Sequence, residues 1–168
     1  MQTETSGAAG GSASIAALGD NSLKISRRFD APRQRVFHAF TDHDLVKQWL
    51  WARESPLVVC KFELRAGGTL RYVWQLPDGS KMGLSGTYRE IVAPDRIVHT
   101  ELFDEDWTDG DTLVTTTFDE VGGRTIVRMR IDYSTSEARD RAMTIDMTGG
   151  MEESFRKLDA LLRDEGQQ

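Results

Sequence analysis

Five side chains in the middle of the chain could hold or move a proton: Tyr72, Tyr88, His99, Glu101 and Tyr133. Acid–base catalysis would need one of them buried beside the reacting atoms with a displaced pKa. Strand alternation alone leaves open which of the five point inward. The three histidines, His38, His43 and His99, are far apart and none has a partner four residues on, so the His-x-x-x-His and His-Glu-x-x-His zinc patterns are absent. His99 lies mid-strand and is the histidine best placed to meet a ligand; a satisfied structural role is its alternative. Cys60 is the only cysteine, which excludes an intrachain disulfide and a cysteine-based metal cluster and suggests a small buried hydrophobe. The chain has no nucleophile elbow, Walker loop or dinucleotide fingerprint, and Arg65-Ala66-Gly67-Gly68 reads as a plain turn. Asp104, Glu105, Asp106, Asp109 and Asp111 surround Trp107 without calcium-loop spacing, as expected of a solvated hairpin tip. No catalytic residue, metal or cofactor is therefore assigned.

The apolar residues make a stronger pattern. Leu70, Tyr72 and Trp74 share one face of a strand; Val127, Met129, Ile131 and Tyr133 share a face of another, with Arg128, Arg130 and Asp132 opposite. Between 113 and 118 the inward phase is ambiguous, because threonines occupy both faces. Met143, Met147, Met151, Phe155, Leu158 and Leu162 step by four, four, four, three and four, which is one helical stripe. Methionine is flexible and polarizable, so a wall of it adapts to irregular apolar ligands. The candidate lining set is Trp49, Leu70, Tyr72, Trp74, Met82, His99, Met129, Tyr133, Met143, Met147, Met151 and Phe155. Ordinary core packing is the alternative for all of them.

The elements that must position these residues follow from period and punctuation. Leu23, Ile25 and Phe29 with polar neighbours suggest a first strand, and Asp30 and Pro32 mark a helix start. Two short helices are predicted at about 32–40 and 42–50, the second capped by Asp42. Strands then follow at about 57–64, 69–75, 82–92, 97–103, 112–118 and 125–133, joined by turns such as Pro77-Asp78-Gly79. Six consecutive strands with short connections favour an antiparallel meander. A helical segment closes the chain, and Gly149-Gly150 within it marks a hinge, a close approach to the sheet, or the true start of the long helix.

At 168 residues the chain is long enough for one sizeable core, and a net charge of −6 argues against nucleic acid or an anionic membrane as its main partner. No run is long enough to span a bilayer and no secretory signal is visible, so a cytoplasmic protein is the default reading. Residues 1–22 are rich in Gly, Ala, Ser and Thr and are expected to form a disordered tail, with a single domain at 23–165.

Several pieces in order carry a resemblance. They are Arg28-Phe29-Asp30-Ala31-Pro32, Val36-Phe37, Ala39-Phe40-Thr41-Asp42, Leu45, Trp49, Trp51 and Leu64-Arg65-Ala66-Gly67-Gly68. Asp78-Gly79, Gly86-Thr87-Tyr88-Arg89-Glu90-Ile91, Pro94-Asp95-Arg96-Ile97-Val98, Gly150-Met151-Glu152-Glu153-Ser154 and Leu158-Asp159 complete the set. Together these resemble the SRPBCC superfamily, in its activator-of-heat-shock-protein-90-ATPase-like branch, over roughly 23–165. Trp49-Leu50-Trp51 departs from the adjacent tryptophans common in that branch. The resemblance implies an α+β helix-grip (START-like) fold: a curved antiparallel sheet of about seven strands around a long C-terminal helix. It implies non-catalytic binding of a small apolar or amphipathic molecule between sheet and helix. A co-chaperone-like interaction module and a polyketide-cyclase-like enzyme are the alternatives. The small ligand is the partner expected, without nucleic acid or membrane insertion; a homodimer and a chaperone partner stay open.

Overall fold

Tight turns and two-residue periodicity in the middle of the chain build one antiparallel sheet, and the chain's two ends close it. The computed structural model describes residues 11–145 and 147–166. Its strands are β1 (Ser14–Leu18), β2 (Ser22–Phe29), β3 (Leu57–Phe62), β4 (Thr69–Gln75), β5 (Lys81–Val92), β6 (Arg96–Phe103), β7 (Thr112–Val121) and β8 (Arg124–Asp132). Helices α1 (Arg33–Thr41) and α2 (His43–Trp49) follow β2, and α3 (Ser136–Thr144) and α4 (Met147–Gly166) follow β8. The spatial order is β1-β2-β8-β7-β6-β5-β4-β3. After β2 the chain crosses through α1 and α2 to the far edge, then returns strand by strand until β8 pairs with β2. This is the α+β helix-grip arrangement expected from the sequence.

Local chemistry explains the curvature. Register shifts between Leu57 and Val59 in β3 and between Tyr88 and Glu90 in β5 each place an extra residue in the strand, which bends it. At Gly86 a Cβ would collide with the Thr100 carbonyl, so only glycine permits the close approach of β5 to β6 there. The concave face is continuous from Leu23, Ile25 and Phe29 through Val127, Phe118 and Val114 to Ile97, Leu84 and Leu70. Val114, Thr116 and Phe118 point inward, which resolves the ambiguous phase of β7.

The helices close one end. Asp42 caps α2 as predicted, its carboxylate accepting from Asp44 N and Leu45 N at 3.0 and 3.1 Å. Asp30 does not cap α1; Pro32 holds that position, and the Asp30 carboxylate instead lies 3.6 Å from Arg28 and 3.5 Å from Arg124. Phe37 and Phe40 of α1 pack edge-on against Phe118 with ring centroids 5.2 and 5.1 Å apart. On α4, Phe155, Leu158 and Leu162 are buried, with Phe155 against Phe29 and Trp49. No helix among the described residues is long and apolar enough to cross a membrane.

Two expectations need correction. The closing stripe is not one helix: Ile145 is extended, α4 starts afresh at Met147, and Gly149-Gly150 falls in the first turn of α4 rather than mid-helix. The tail is not featureless up to residue 22 either. Ser14–Leu18 pairs with β2, Ile15 packs on the core, and the Ala13 N–H donates to Glu152 Oε1 at 2.8 Å, which makes the sheet eight-stranded. Small side chains carry little hydrophobic signal, but the β2 edge offers backbone donors and acceptors that any extended segment can pair. Residues 1–10 lie outside the described residues. Deleting residues 1–20 should therefore lower stability by about 1–2 kcal/mol, read as a melting temperature roughly 2–8 °C lower. An unchanged melting temperature would mean β1 contributes nothing.

Candidate functional site

The concave wall carries a polar cluster at its centre. Tyr72, Tyr88, His99 and Glu101 all fall on the inward phase of β4, β5 and β6, and Tyr133 follows β8 on the same side. His99 and Glu101 are two residues apart on one strand, so their side chains stand side by side; Nε2 and Oε2 are 2.9 Å apart. The Tyr88 ring lies 6.0 Å from the His99 ring, tilted by 57°. His99 Nδ1 is buried with no hydrogen-bond partner among the described residues. Burial pushes the Tyr72 phenol well above its ordinary pKa, with the neighbouring Tyr88, Cys60 and Glu101 adding to the rise. Burial raises Tyr88 in the same way, and it pushes Tyr133 up to about 12, again with help from the Glu101 charge. All three phenols therefore stay protonated near neutrality and act as neutral hydrogen-bonding groups rather than as bases.

The predicted lining residues divide into three kinds. Trp49, Leu70, Trp74 and Phe155 are sealed in the core, with indole donors satisfied: Trp49 Nε1 gives to the Ala39 carbonyl and Trp74 Nε1 to the Leu50 carbonyl, both at 2.9 Å. Tyr72 and Tyr133 are also buried but belong to the polar cluster. Met82, His99, Met129 and Met151 keep partial solvent contact although three lie on the concave face and the fourth on the helix packed over it. Met147 opens α4, and its side chain lies outside the described residues. Met143 is 46% exposed, because α3 buries Ala138, Ala142 and Arg139 instead. That rotation follows from the break at Ile145, which uncouples α3 from the stripe of α4.

Tyr88 and Glu101 lie outside the predicted lining set, yet each shares the inward phase of its strand with a neighbour that faces the cluster. A third polar residue outside that set is Arg27. Arg27 is inward on β2 and almost fully buried; its Nη2 lies 2.7 Å from Asp159 Oδ2 and 3.2 Å from Glu152 Oε2, both on α4. Its guanidinium sits 4.9 Å from the Phe29 ring centre. The signal was its phase, since Leu23, Ile25, Arg27 and Phe29 alternate regularly. The Asp159 carboxyl is held above the usual carboxylate range because burial outweighs the attraction of Arg27.

His43 stacks on Phe62 with ring centres 3.8 Å apart, and its Nε2 lies 3.1 Å from the Phe62 carbonyl. His38 is exposed on α1, with Nε2 3.8 Å from Asp42. Cys60 is partly buried, and desolvation pushes its thiol up to about 11, which makes it a poor nucleophile. The acidic loop is tethered rather than free: Asp104 accepts from Arg71 Nη1 and Nη2 at 2.6 and 2.8 Å, and Asp106 Oδ1 accepts from Thr108 N and Gly110 N. No cluster of three or more metal-ligating side chains occurs among the described residues. An open groove of about 470 Å³ between α1 and the 93–94 turn, lined by Gln34, Phe37, His38, Thr41, Ala93 and Pro94, contains none of the predicted lining residues.

The fold and much of the sequence are shared with known proteins. The family described as Activator of Hsp90 ATPase homolog 1-like protein matches residues 30–163. A crystal structure of a protein from Rhodobacter sphaeroides is 38% identical, with a TM-score of 0.87, covering 92% of this chain and 99% of that one. A solution structure of a protein from Staphylococcus epidermidis is 27% identical with a TM-score of 0.78, covering 89% of this chain and 93% of the other. CalU16 from Micromonospora echinospora shares the fold at 19% identity and a TM-score of 0.60, covering 93% of this chain and 87% of that one. No curated protein matches this chain by sequence.

Proposed function

The chain belongs to the Activator of Hsp90 ATPase homolog 1-like family of the SRPBCC superfamily, and from that premise we propose that it binds a small amphipathic molecule between the concave sheet and α4, without transforming it. One observation carries the reading: residues turned into the grip are not sealed. His99 and Glu101 side chains are 13% and 24% exposed, and Met82, Met129, Phe103 and Met151 are only partly buried. Inward-facing side chains that water reaches can also be reached by a ligand, which supports this reading over a fully packed core. Its rim is methionine and aromatic, and its centre is a cluster of phenols, imidazole and carboxylate, which suits a molecule with an apolar body and one polar group.

A chaperone partner has only the family description behind it, whereas the cavity reading has named side chains. The His99–Glu101 pair favours an enzyme of the cyclase kind as a second reading, because a carboxylate orients an imidazole in many acid–base sites. The two readings part on one measurement: a ligand recovered unchanged by mass spectrometry after long incubation supports a carrier, and conversion supports the enzyme.

The binding test uses tryptophan fluorescence with a neutral long-chain alcohol as probe. Met151→Trp is expected to weaken binding at least tenfold while the melting temperature moves by only a few degrees, since bulk enters an unfilled space. In a solid core the same change would overpack at a cost of about 1–3 kcal/mol. Stability lost, with no probe bound by either protein, would reduce these residues to core.

A further inference from the structure

We propose that Glu101 sets the headgroup class of the bound molecule: a neutral or cationic hydrogen-bond donor, such as a hydroxyl or ammonium group, and not a carboxylate. The proposal rests on the ligand-binding reading above and adds to it the chemistry of the polar end.

On the concave face of β2 to β8 the cation that could meet an anionic headgroup is Arg27, and it is already engaged by Asp159 at 2.7 Å and Glu152 at 3.2 Å on α4. At the centre of the wall the formal anion is Glu101. Its Oε2 is held by His99 Nε2 at 2.9 Å, while Oε1 accepts no hydrogen bond among the described residues and the side chain keeps 24% of its surface open. His99 Nε2 faces the carboxylate, and its Nδ1 is buried without a hydrogen-bond partner among the described residues. The position of the pair that stays open is thus Glu101 Oε1, an acceptor. An incoming hydroxyl or ammonium donates to Oε1. An incoming carboxylate brings no donor and faces a like charge in a partly desolvated site, where the phenols are neutral and Arg27 is already engaged by two carboxylates. Tyr72 and Tyr133 lie close enough to feel the Glu101 charge, so the wall around the carboxylate is hydrogen-bonding but not cationic.

The test is a matched series at neutral pH and below micelle formation: dodecanol, dodecylamine and dodecanoate titrated into the full chain, followed by tryptophan fluorescence and by calorimetry. Dodecanol and dodecylamine are expected to bind, with dodecanoate at least tenfold weaker than dodecanol. Glu101→Gln is nearly isosteric and is expected to shrink the dodecylamine-to-dodecanoate affinity ratio at least tenfold with its melting temperature close to that of the parent. Dodecanoate binding as tightly as dodecanol, or a ratio unchanged in Glu101→Gln, overturns the headgroup assignment while leaving the cavity reading intact. If none of the three binds, the cavity reading fails and the assignment with it. Should Glu101→Gln not fold, the parent series alone still decides, through the dodecanol-to-dodecanoate comparison.

Discussion

Truncating Leu158 to alanine is expected to destabilise the protein by about 2–5 kcal/mol, the range for removing a buried leucine side chain whose surroundings collapse only partly. Leu158 is fully buried on α4, in the same buried stripe as Phe155 and Leu162. That stripe joins the two ends of the chain: Phe155 meets Phe29 of β2 with centroids 5.5 Å apart, and Arg35 of α1 reaches the Leu162 carbonyl. A cavity there therefore loosens α4 against both the sheet and the first helix. The measurement is chemical denaturation, where the midpoint should fall steeply with an unchanged slope. An unchanged midpoint would mean that the α4 stripe is not packed, and the helix-grip arrangement would be wrong.

Replacing Arg27 with alanine should cost a comparable amount, about 3–5 kcal/mol, for a different reason. The arginine is not worth that much as an attraction; its removal leaves Asp159 and Glu152 with side chains 8% and 13% exposed and without their shared cation. The pH dependence gives a second check. The Asp159 carboxyl already lies above the usual range through burial, with Arg27 pulling it down. Without Arg27 it rises further. A carboxyl with a raised folded-state pKa favours the folded state at low pH and loses that contribution as pH rises through the raised value. The deficit of Arg27→Ala should accordingly be smallest below the ordinary aspartate range and grow toward neutrality. A deficit independent of pH would show that lost packing against Phe29 and Phe155, rather than the buried Asp159 carboxylate, dominates. Changing Arg27 to Met together with Asp159 to Leu should recover part of the loss, because that pair no longer needs a partner.

Signals that depend on near neighbours were mostly legible, the cap of α1 excepted, where Pro32 and not Asp30 holds the position. Strands β4 to β8 were legible because alternation and tight turns are local signals: Pro77-Asp78-Gly79 and Glu120-Val121-Gly122-Gly123 end one run and begin the next. Asp42 announced α2 because a cap acts on donors two and three residues ahead. The methionine and aromatic content of the lining set was visible too, though alternation could not separate Trp49 and Leu70, which pack tightly, from Met82 and Met129, which keep solvent contact.

Tertiary structure decided what depends on distant partners. β1 exists because the edge of β2 needed backbone partners, a requirement that Ser14-Ile15-Ala16-Ala17-Leu18 does not announce by composition. Arg27 reads as a surface charge until Asp159 and Glu152, more than a hundred residues away, arrive to bury it. Met143 and Met151 look equivalent on one stripe until an extended Ile145 turns α3 away from the line of α4. Tyr72, Tyr88, His99, Glu101 and Tyr133 become one cluster only when the meander sets β4, β5, β6 and β8 in register across a bent sheet. Periodicity states which residues share a face of one element; only the pairing of elements states which faces meet.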